Sequence, residues 1–144
     1  MANIAGIPEE WQAVLWTHLE KYYPDVSLSE TTNAPVWHIA AEMVERSLFK
    51  KSTVRNDFFF ILHEGILFEV SVPGKGKPYA RVEPMQGVRV VDYEQTSAYK
   101  MIPECGVNLV GVKGSDGQAG ERFIGLTDDA PSLEFRVALR AIAN

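Results

Sequence analysis

The segment Gly74-Lys75-Gly76-Lys77 carries the most suggestive chemistry, because two glycines alternate with two lysines. Glycine lets a backbone approach an anion closely, and the ammonium groups add positive charge. The spacing differs from the phosphate-binding loop of nucleotide hydrolases, which has a longer glycine frame and a Ser or Thr after the lysine. An anionic lipid headgroup or an acidic peptide would suit this loop, with Lys75, Lys77 and Arg81 as candidate ligand-binding residues. The alternative is a hairpin loop that its lysines keep soluble.

Nucleophilic catalysis would have to use Cys105, the single cysteine of the chain. A reactive thiolate needs a base within reach. His18, His38 and His63 fall on predicted helices or in a predicted hairpin turn, and nothing in the sequence brings them to Cys105. We therefore predict no catalytic residue and favour a protein that is not an enzyme. A small-molecule enzyme with an unrecognised site remains an alternative.

Metal and carboxylate chemistry finds no matching cluster of ligands. The histidines are at least 20 residues apart in the sequence, whereas a metal site needs ligands that converge. The pairs Glu9-Glu10 and Asp128-Asp129 are adjacent, so their side chains diverge, and they suit the N-termini of helices. The sequence therefore predicts no metal site and no cofactor, and it does not support a hydrolase with paired carboxylates.

Aromatic residues near the N-terminus suggest a surface for a partner. Trp11 belongs to an apolar helical face and is expected in the core, whereas Trp16 lies off that face. An off-face tryptophan either packs against another element or is exposed for a partner. Tyr22-Tyr23 would extend such a patch. We predict Trp16 and Tyr23 as a partner surface, with core packing as the alternative.

The charge of the chain is unevenly distributed. The 144 residues carry a net charge of −5, whereas the stretch 46–81 has seven basic and three acidic residues, a net charge of +4. An acidic chain argues against general nucleic-acid binding. No N-terminal targeting sequence is recognised, and no apolar run approaches the ~20 residues of a membrane span, so we expect a cytoplasmic protein without a transmembrane segment.

The elements that must position these residues begin with two predicted helices. Pro8 opens the first helix and Pro24 ends it. Thr32 or Asn33 caps the second, whose apolar residues recur at helical spacing and continue to about Leu48 or Phe49. The residues of that second apolar stripe are Val36, Ile39, Ala40, Met43 and Val44. The basic stretch 50–55 is the expected boundary after the helix.

From residue 57 onward the pattern favours strands. Strands are predicted at 58–62, 66–72, 79–82, 88–93, 98–102, 106–112 and 122–126, with turns at 63–65, 73–78 and 113–120. Thr127, Asp128 or Asp129 caps a last helix that has Pro131 in its first turn. The sequence thus predicts an α+β fold with two N-terminal helices, an antiparallel meander of about seven short strands and a C-terminal helix. We expect one domain over 1–144, with 1–50 as a helical N-terminal addition and 57–144 as the sheet with its closing helix.

The order of elements from residue 57 resembles that of pleckstrin-homology-like (PH-like) domains, including bacterial members. The likeness rests on the hairpin at 58–72, the strand Val88-Arg89-Val90-Val91, and the run 121–126 that leads into the last helix. It implies a bent antiparallel sheet or barrel closed at one end by the C-terminal helix. Lipid-binding members carry lysines and arginines in the first hairpin loop. Here the predicted loop is His63-Glu64-Gly65, so inositol-phosphate binding is not implied.

Three functions remain open from the sequence. The first is a non-catalytic interaction module that acts through protein–protein contacts, including those of a homo-oligomer. The second is binding of an anionic ligand or lipid headgroup through Lys75 and Lys77, which includes peripheral contact with an anionic membrane; Lys50 and Lys51 could contribute. The third is the small-molecule enzyme named above. Fold alone does not decide among them.

Overall fold

The computed structural model describes residues 3–46, 48–101, 104–113 and 117–143, with the backbone only at 43–46. This part of the chain forms two α-helices and seven strands in two antiparallel sheets, which confirms the α+β class. The elements are α1 (Glu9–Tyr22), β1 (Val36–Arg46), β2 (Lys51–His63), β3 (Ile66–Val72), β4 (Tyr79–Pro84), β5 (Arg89–Asp92), β6 (Gly106–Lys113), β7 (Ala119–Gly125) and α2 (Ala130–Ile142). The sheet orders are β1-β2-β3-β4 and β5-β6-β7.

The chain divides into two compact units. The first comprises residues 1–63 and 67–82, and the second comprises 64–66 and 83–144. The first therefore contains α1 and most of the four-stranded sheet, and the second contains the three-stranded sheet and α2. That both units belong to one domain remains a prediction from chain length.

Helix α1 begins and ends where its sequence allows. Pro8 is the N-cap, and Glu9 and Glu10 lie in the first turn, where carboxylates stabilise the positive end of the helix dipole. The helix buries Gln12, Leu15 and Leu19 on one face. The Gln12 side-chain amide donates a hydrogen bond of 2.7 Å to the carbonyl of Ile7, so this buried polar group is satisfied.

The predicted second helix is wrong, because residues 36–46 form strand β1. This strand pairs with β2 over eleven residues, from Val36 opposite Ile61 to Arg46 opposite Lys51. A strand that is buried on both faces needs no alternation of apolar and polar residues, and Val36, Trp37 and Ile39 are all buried here. Pairing with the aromatic run of β2 therefore determines the structure, despite the helical spacing of the apolar residues. The predicted N-terminal addition is therefore only partly helical. The side chains of Met43 and Val44 lie outside the described residues.

The aromatic run of β2 supplies buried residues on successive positions. The Phe59 ring lies 5.4 Å from the Trp11 ring and stacks on the His38 ring at 4.4 Å, measured between centroids. Phe60 is fully buried. Because neighbouring side chains of a strand point to opposite faces, both faces of the sheet are covered at this point, and α1 covers the face that carries Phe59.

In the second unit, the predicted strand at 98–102 is wrong. Residues Ser97–Lys100 form a 3₁₀-helix, and Ile102 lies outside the described residues, as do residues 114–116 of the predicted turn. The remaining predicted strands are present, with shifted ends. Helix α2 is capped by Asp129, one of the three predicted caps: the Asp129 carboxylate accepts a hydrogen bond of 3.0 Å from the backbone N–H of Ser132.

An arginine fork attaches α2 to the end of β5. The Arg136 guanidinium donates to both carboxylate oxygens of Glu94, at 2.8 and 3.1 Å, and to Asp92 at 2.9 Å. These hydrogen bonds from Arg136 lower the pKa of Glu94 from 4.5 to about 2. Since the folded-state pKa lies below the unfolded one, the contribution of Glu94 to stability is present above pH 4.5 and is lost as the pH falls toward 2.

Candidate functional site

A groove lies between α1 and the segment that follows it. Its volume is about 490 Å³, within the range of sites that bind small ligands or side chains. One wall comes from Trp16, Leu19 and Tyr23, which recur at helical spacing. Pro24 cannot continue the helix, and the chain turns back so that Val26 and Leu28 form the opposite wall. The complete lining, called the α1 groove below, is Trp16, Leu19, Glu20, Tyr23, Pro24, Val26, Leu28, Ser29 and Glu30.

A hydrogen-bonded turn holds the far end of the α1 groove. The backbone N–H of Ser29 donates to the Thr32 hydroxyl at 3.0 Å, and the backbone N–H of Thr32 donates to the carbonyl of Ser29 at 3.0 Å. Leu28, just before this turn, is buried. The second wall is thus fixed by local hydrogen bonds and one buried side chain, and a largely preformed site loses little conformational entropy on binding.

The two residues predicted as a partner surface, Trp16 and Tyr23, lie in the same groove. Both are half-buried, so each presents part of its ring to solvent. Their neighbour Tyr22 is outside this groove and lines a different one on α1. Val26 and Leu28 were not predicted as site residues, since they belong to a polar stretch that indicated only a loop.

The rim of the α1 groove is acidic. The described residues that line it include Glu20 and Glu30, both exposed, and no lysine or arginine. Two carboxylates beside an apolar floor favour a ligand that joins an apolar group to a positive charge.

A second, shallower groove of about 470 Å³ follows another side of α1 and includes Val14, His18, Tyr22 and Tyr79. Burial lowers the pKa of His18 and so favours its neutral form. Its lining contains Glu10 and Lys21, whose charges are opposite, so it favours no charged ligand. It lacks the consistent charge of the α1 groove.

The basic loop at 73–78 is fixed against β2. The Gly74 N–H donates to the Asn56 side chain at 2.9 Å, and a Cβ at Gly74 would overlap Val54 and approach the carbonyl of Arg55 to 2.6 Å. The structure thus brings the loop that carries Lys75 and Lys77 beside β2 at Arg55. Both lysines are exposed, as is Arg81 on β4.

Arg55 belongs to a charged cluster across β1 and β2. Asp57 accepts hydrogen bonds from Arg55 at 3.1 Å and from the His38 ring at 2.7 Å. Burial opposes the charge of Asp57, but the hydrogen bonds from His38 and Arg55 outweigh it and lower the pKa of this carboxyl. Asp57, one of the three acidic residues of the stretch 46–81, thus pairs with Arg55 on β2 and with His38 on β1.

The β1–β2 hairpin exposes an apolar pair that the sequence reading missed. Leu48 is 94% exposed and Phe49 is 97% exposed, and the next two residues, Lys50 and Lys51, are also exposed. These four residues are called the hairpin tip below. In the sequence-based prediction, Leu48 and Phe49 lie at the end of the second helix, and Lys50 and Lys51 lie in the boundary stretch that follows it. Local pattern carries no signal for the hairpin tip, because lysines after a last apolar pair are also typical of a helix C-terminus.

The single cysteine and the possible metal ligands are the remaining candidates for chemistry. Cys105 is exposed, and its carbonyl accepts a hydrogen bond of 3.0 Å from the Leu126 N–H. Over the described ranges, no three His, Cys, Asp or Glu side chains converge in a way that could hold a metal ion. In the same part of the chain, no helix is both long enough and apolar enough to cross a bilayer.

Comparison with known proteins gives no family for this chain. No protein-family model matches the sequence, no curated protein is significantly similar to it, and no solved structure significantly matches its fold.

Proposed function

We propose that this protein is a non-catalytic cytoplasmic binding module that captures a partner protein in the α1 groove. The observation that carries the proposal is the convergence of Trp16 and Tyr23 on one preformed apolar groove with an acidic rim. Tryptophan and tyrosine dominate the energetics of protein interfaces, because each contributes a large rigid ring and one hydrogen-bonding group.

The chemistry of the groove defines the partner segment. Trp16, Leu19 and Val26 offer an apolar floor for one or two large aliphatic or aromatic side chains. The carboxylates of Glu20 and Glu30 would then pair with basic residues beside those side chains. Because these charges are exposed, we expect them to contribute more to specificity and to association rate than to affinity.

Fluorine NMR would test this proposal. The protein is labelled with 5-fluorotryptophan, and the Trp16 resonance is assigned with Trp16→Phe. Two synthetic peptides are titrated, each with a Leu-Phe pair, one flanked by two lysines and the other by two glutamates. We expect the lysine peptide to shift the Trp16 resonance and to bind at least about tenfold more tightly than the glutamate peptide.

The adjacent tyrosines provide a matched control. Tyr23→Ala should weaken binding of the lysine peptide about tenfold or more, as expected for an aromatic residue central to an interface. Tyr22→Ala removes the same side chain one position away, outside the α1 groove, and should leave the affinity unchanged. Equal losses in the two variants, or a Trp16 resonance unmoved by either peptide, would contradict the proposal.

We also propose that the sheets and α2 form a PH-like fold. Its support is the order of elements, in which strands β1 to β7 are followed directly by α2. The sequence-based resemblance begins at residue 57. Because β1 begins at Val36 and is the first of the seven described strands, we propose that the PH-like part begins at Val36, and that α1 is the N-terminal addition.

A second candidate function is binding of an anionic ligand or lipid headgroup at the basic loop. It is favoured by the close packing of Gly74 against Val54 and by its hydrogen bond to Asn56, both on β2. These contacts hold the segment with Lys75 and Lys77 beside Arg55. A loop already held in place loses less entropy when an anion binds.

Sedimentation with lipid vesicles would test this second candidate. Lys75→Glu plus Lys77→Glu should reduce binding to phosphatidylserine vesicles about tenfold or more, since each cation near an anionic surface contributes about a factor of five. Lys100→Glu plus Lys113→Glu makes the same charge change on exposed lysines of the second unit and should have a much smaller effect. Binding that survives the loop substitutions would exclude this function.

A further inference from the structure

The hairpin tip presents the ligand chemistry that the α1 groove selects. It joins two large apolar side chains, Leu48 and Phe49, to two cations, Lys50 and Lys51. At 94% and 97% exposure, the apolar pair has almost its entire surface in water, and burying such surface is the main driving force of association. Isolated exposed apolar residues are common, whereas a contiguous exposed pair at the end of a hairpin is a candidate for contact with a partner.

The hairpin tip and the α1 groove are complementary in curvature and in charge. The tip is convex, since it ends a hairpin, and the groove is concave, with about 490 Å³ to fill. The groove contributes Glu20 and Glu30, and the tip contributes Lys50 and Lys51. Opposite charges beside an apolar contact fix its register and disfavour partners with the wrong charge.

The tip is exposed, so it does not occupy the groove of its own chain. We propose that the hairpin tip of one copy docks into the α1 groove of a second copy, with Leu48 and Phe49 against Trp16 and Tyr23. This inference rests on the proposed function, because it names the partner of the same groove. Tip and groove are different surfaces, so two copies can exchange tips reciprocally in a closed dimer, or successive copies can continue into an open chain.

A charge-reversal experiment tests the contact on the intact chain. Lys50→Glu plus Lys51→Glu gives a tip variant, and Glu20→Lys plus Glu30→Lys gives a groove variant. All four positions are exposed, so both variants should fold, which circular dichroism would verify. Sedimentation velocity over a concentration series should show self-association of the wild type. Each variant alone should self-associate at least about tenfold more weakly, because like charges then face each other.

Mixing the two variants provides the decisive measurement. In a mixed pair, the acidic tip of one variant meets the basic groove of the other, and the remaining tip and groove keep their native charges. Both contacts are therefore complementary, and the mixture should regain the association of the wild type to within about threefold. A photo-crosslinking residue at position 49 should join the tip to residues 16–30 of the second copy, as mass spectrometry would show.

A third variant separates the apolar contribution from that of the charges. Leu48→Ser plus Phe49→Ser keeps the charges and should weaken self-association at least about tenfold, since it removes the apolar surface. A wild type that stays monomeric at all concentrations, or variants that fail to restore association when mixed, would overturn the inference. So would a tip that binds phosphatidylserine vesicles while the groove variant self-associates like the wild type, because the tip would then serve a membrane.

Failure of this inference can be distinguished from failure of the proposed function. If the lysine peptide shifts the Trp16 resonance but the chain remains monomeric, the groove binds a different protein, and only the inference of self-association is wrong. If neither the peptide nor a second copy shifts the Trp16 resonance, both the proposed function and the self-association are wrong.

Discussion

Arg122→Met should lower the free energy of unfolding by about 3–5 kcal/mol, because it takes the guanidinium away from a buried carboxylate. Arg122 on β7 and Glu83 on β4 approach to 3.3 Å, and their side chains are only 8% and 12% exposed. A carboxylate that stays buried without the Arg122 guanidinium keeps its desolvation cost and loses an attraction that helped to offset it. Urea denaturation followed by circular dichroism would measure the loss.

The double variant Glu83→Leu plus Arg122→Met provides the control for this pair. Replacing both charges by apolar side chains removes the desolvation cost together with the attraction, so we expect it to be close to neutral or stabilising. A double-mutant cycle would then give a large coupling energy. A loss below about 1 kcal/mol for Arg122→Met alone would contradict this account, because it would place the pair with exposed ion pairs.

Gly106→Ala should lower the free energy of unfolding by about 3 kcal/mol, as severe overpacking does in a rigid site. A Cβ at Gly106 would overlap the carbonyl oxygen of Ile124 and lie 2.8 Å from two ring atoms of Phe123. The Gly106 N–H also donates to Glu94 at 2.9 Å, and Glu94 is the carboxylate that receives the Arg136 fork. Displacing β6 to relieve the overlap would therefore disturb the attachment of α2 as well.

Gly120→Ala is the matched control for this substitution. Gly120 lies on β7, in the same strand pair, and the nearest atom to its added Cβ would be the carbonyl oxygen of Val112 at 3.9 Å, an ordinary contact. We expect Gly120→Ala to change stability by less than about 1 kcal/mol. Thermal unfolding of the two variants should differ clearly; equal midpoints would show that β6 can shift to accommodate a side chain at position 106.

Local patterns predicted most of the strands and both α-helices that are present. The hairpin at 58–72 was predictable because aromatic and β-branched residues flank a Gly-containing turn, and β2 and β3 meet there. Helix α2 was predictable because Asp129 and Pro131 are favoured at a helix N-terminus. In each case the determining interactions lie within a few residues of one another.

Strand β1 was not predictable from local pattern. Val36, Ile39 and Ala40 recur at helical spacing, and a strand buried on both faces shows no alternation that would oppose this interpretation. The strand exists because β2 offers an eleven-residue ladder that includes Phe58-Phe59-Phe60, and that partner lies outside the window in which periodicity is judged. The same error concealed the hairpin tip, since Leu48 and Phe49 were assigned to the end of a helix that does not form.

Sequence patterns predicted the helical wall of the α1 groove but not the opposite wall. Trp16 and Tyr23 attracted attention because an aromatic residue off the core face of a helix needs another explanation. Val26 and Leu28 gave no such signal, since their position depends on how the chain turns at Pro24 and on the hydrogen bonds between Ser29 and Thr32. A wall built from irregular backbone has no periodicity from which it could be recognised.

The β1–β2 ladder also bears on the order in which the chain folds. Strand β2 begins five positions after β1 ends, so the ladder joins residues that are near in sequence, and hairpins of this kind form in about 1–10 μs. The Glu83–Arg122 pair, by contrast, joins residues 39 positions apart and has to close a much longer loop. During synthesis, α1, β1 and β2 emerge before β6 and β7 exist, and Phe59 can already meet Trp11 and His38. We therefore expect folding to proceed from this early aromatic cluster toward the C-terminus, with the docking of α2 as a late step.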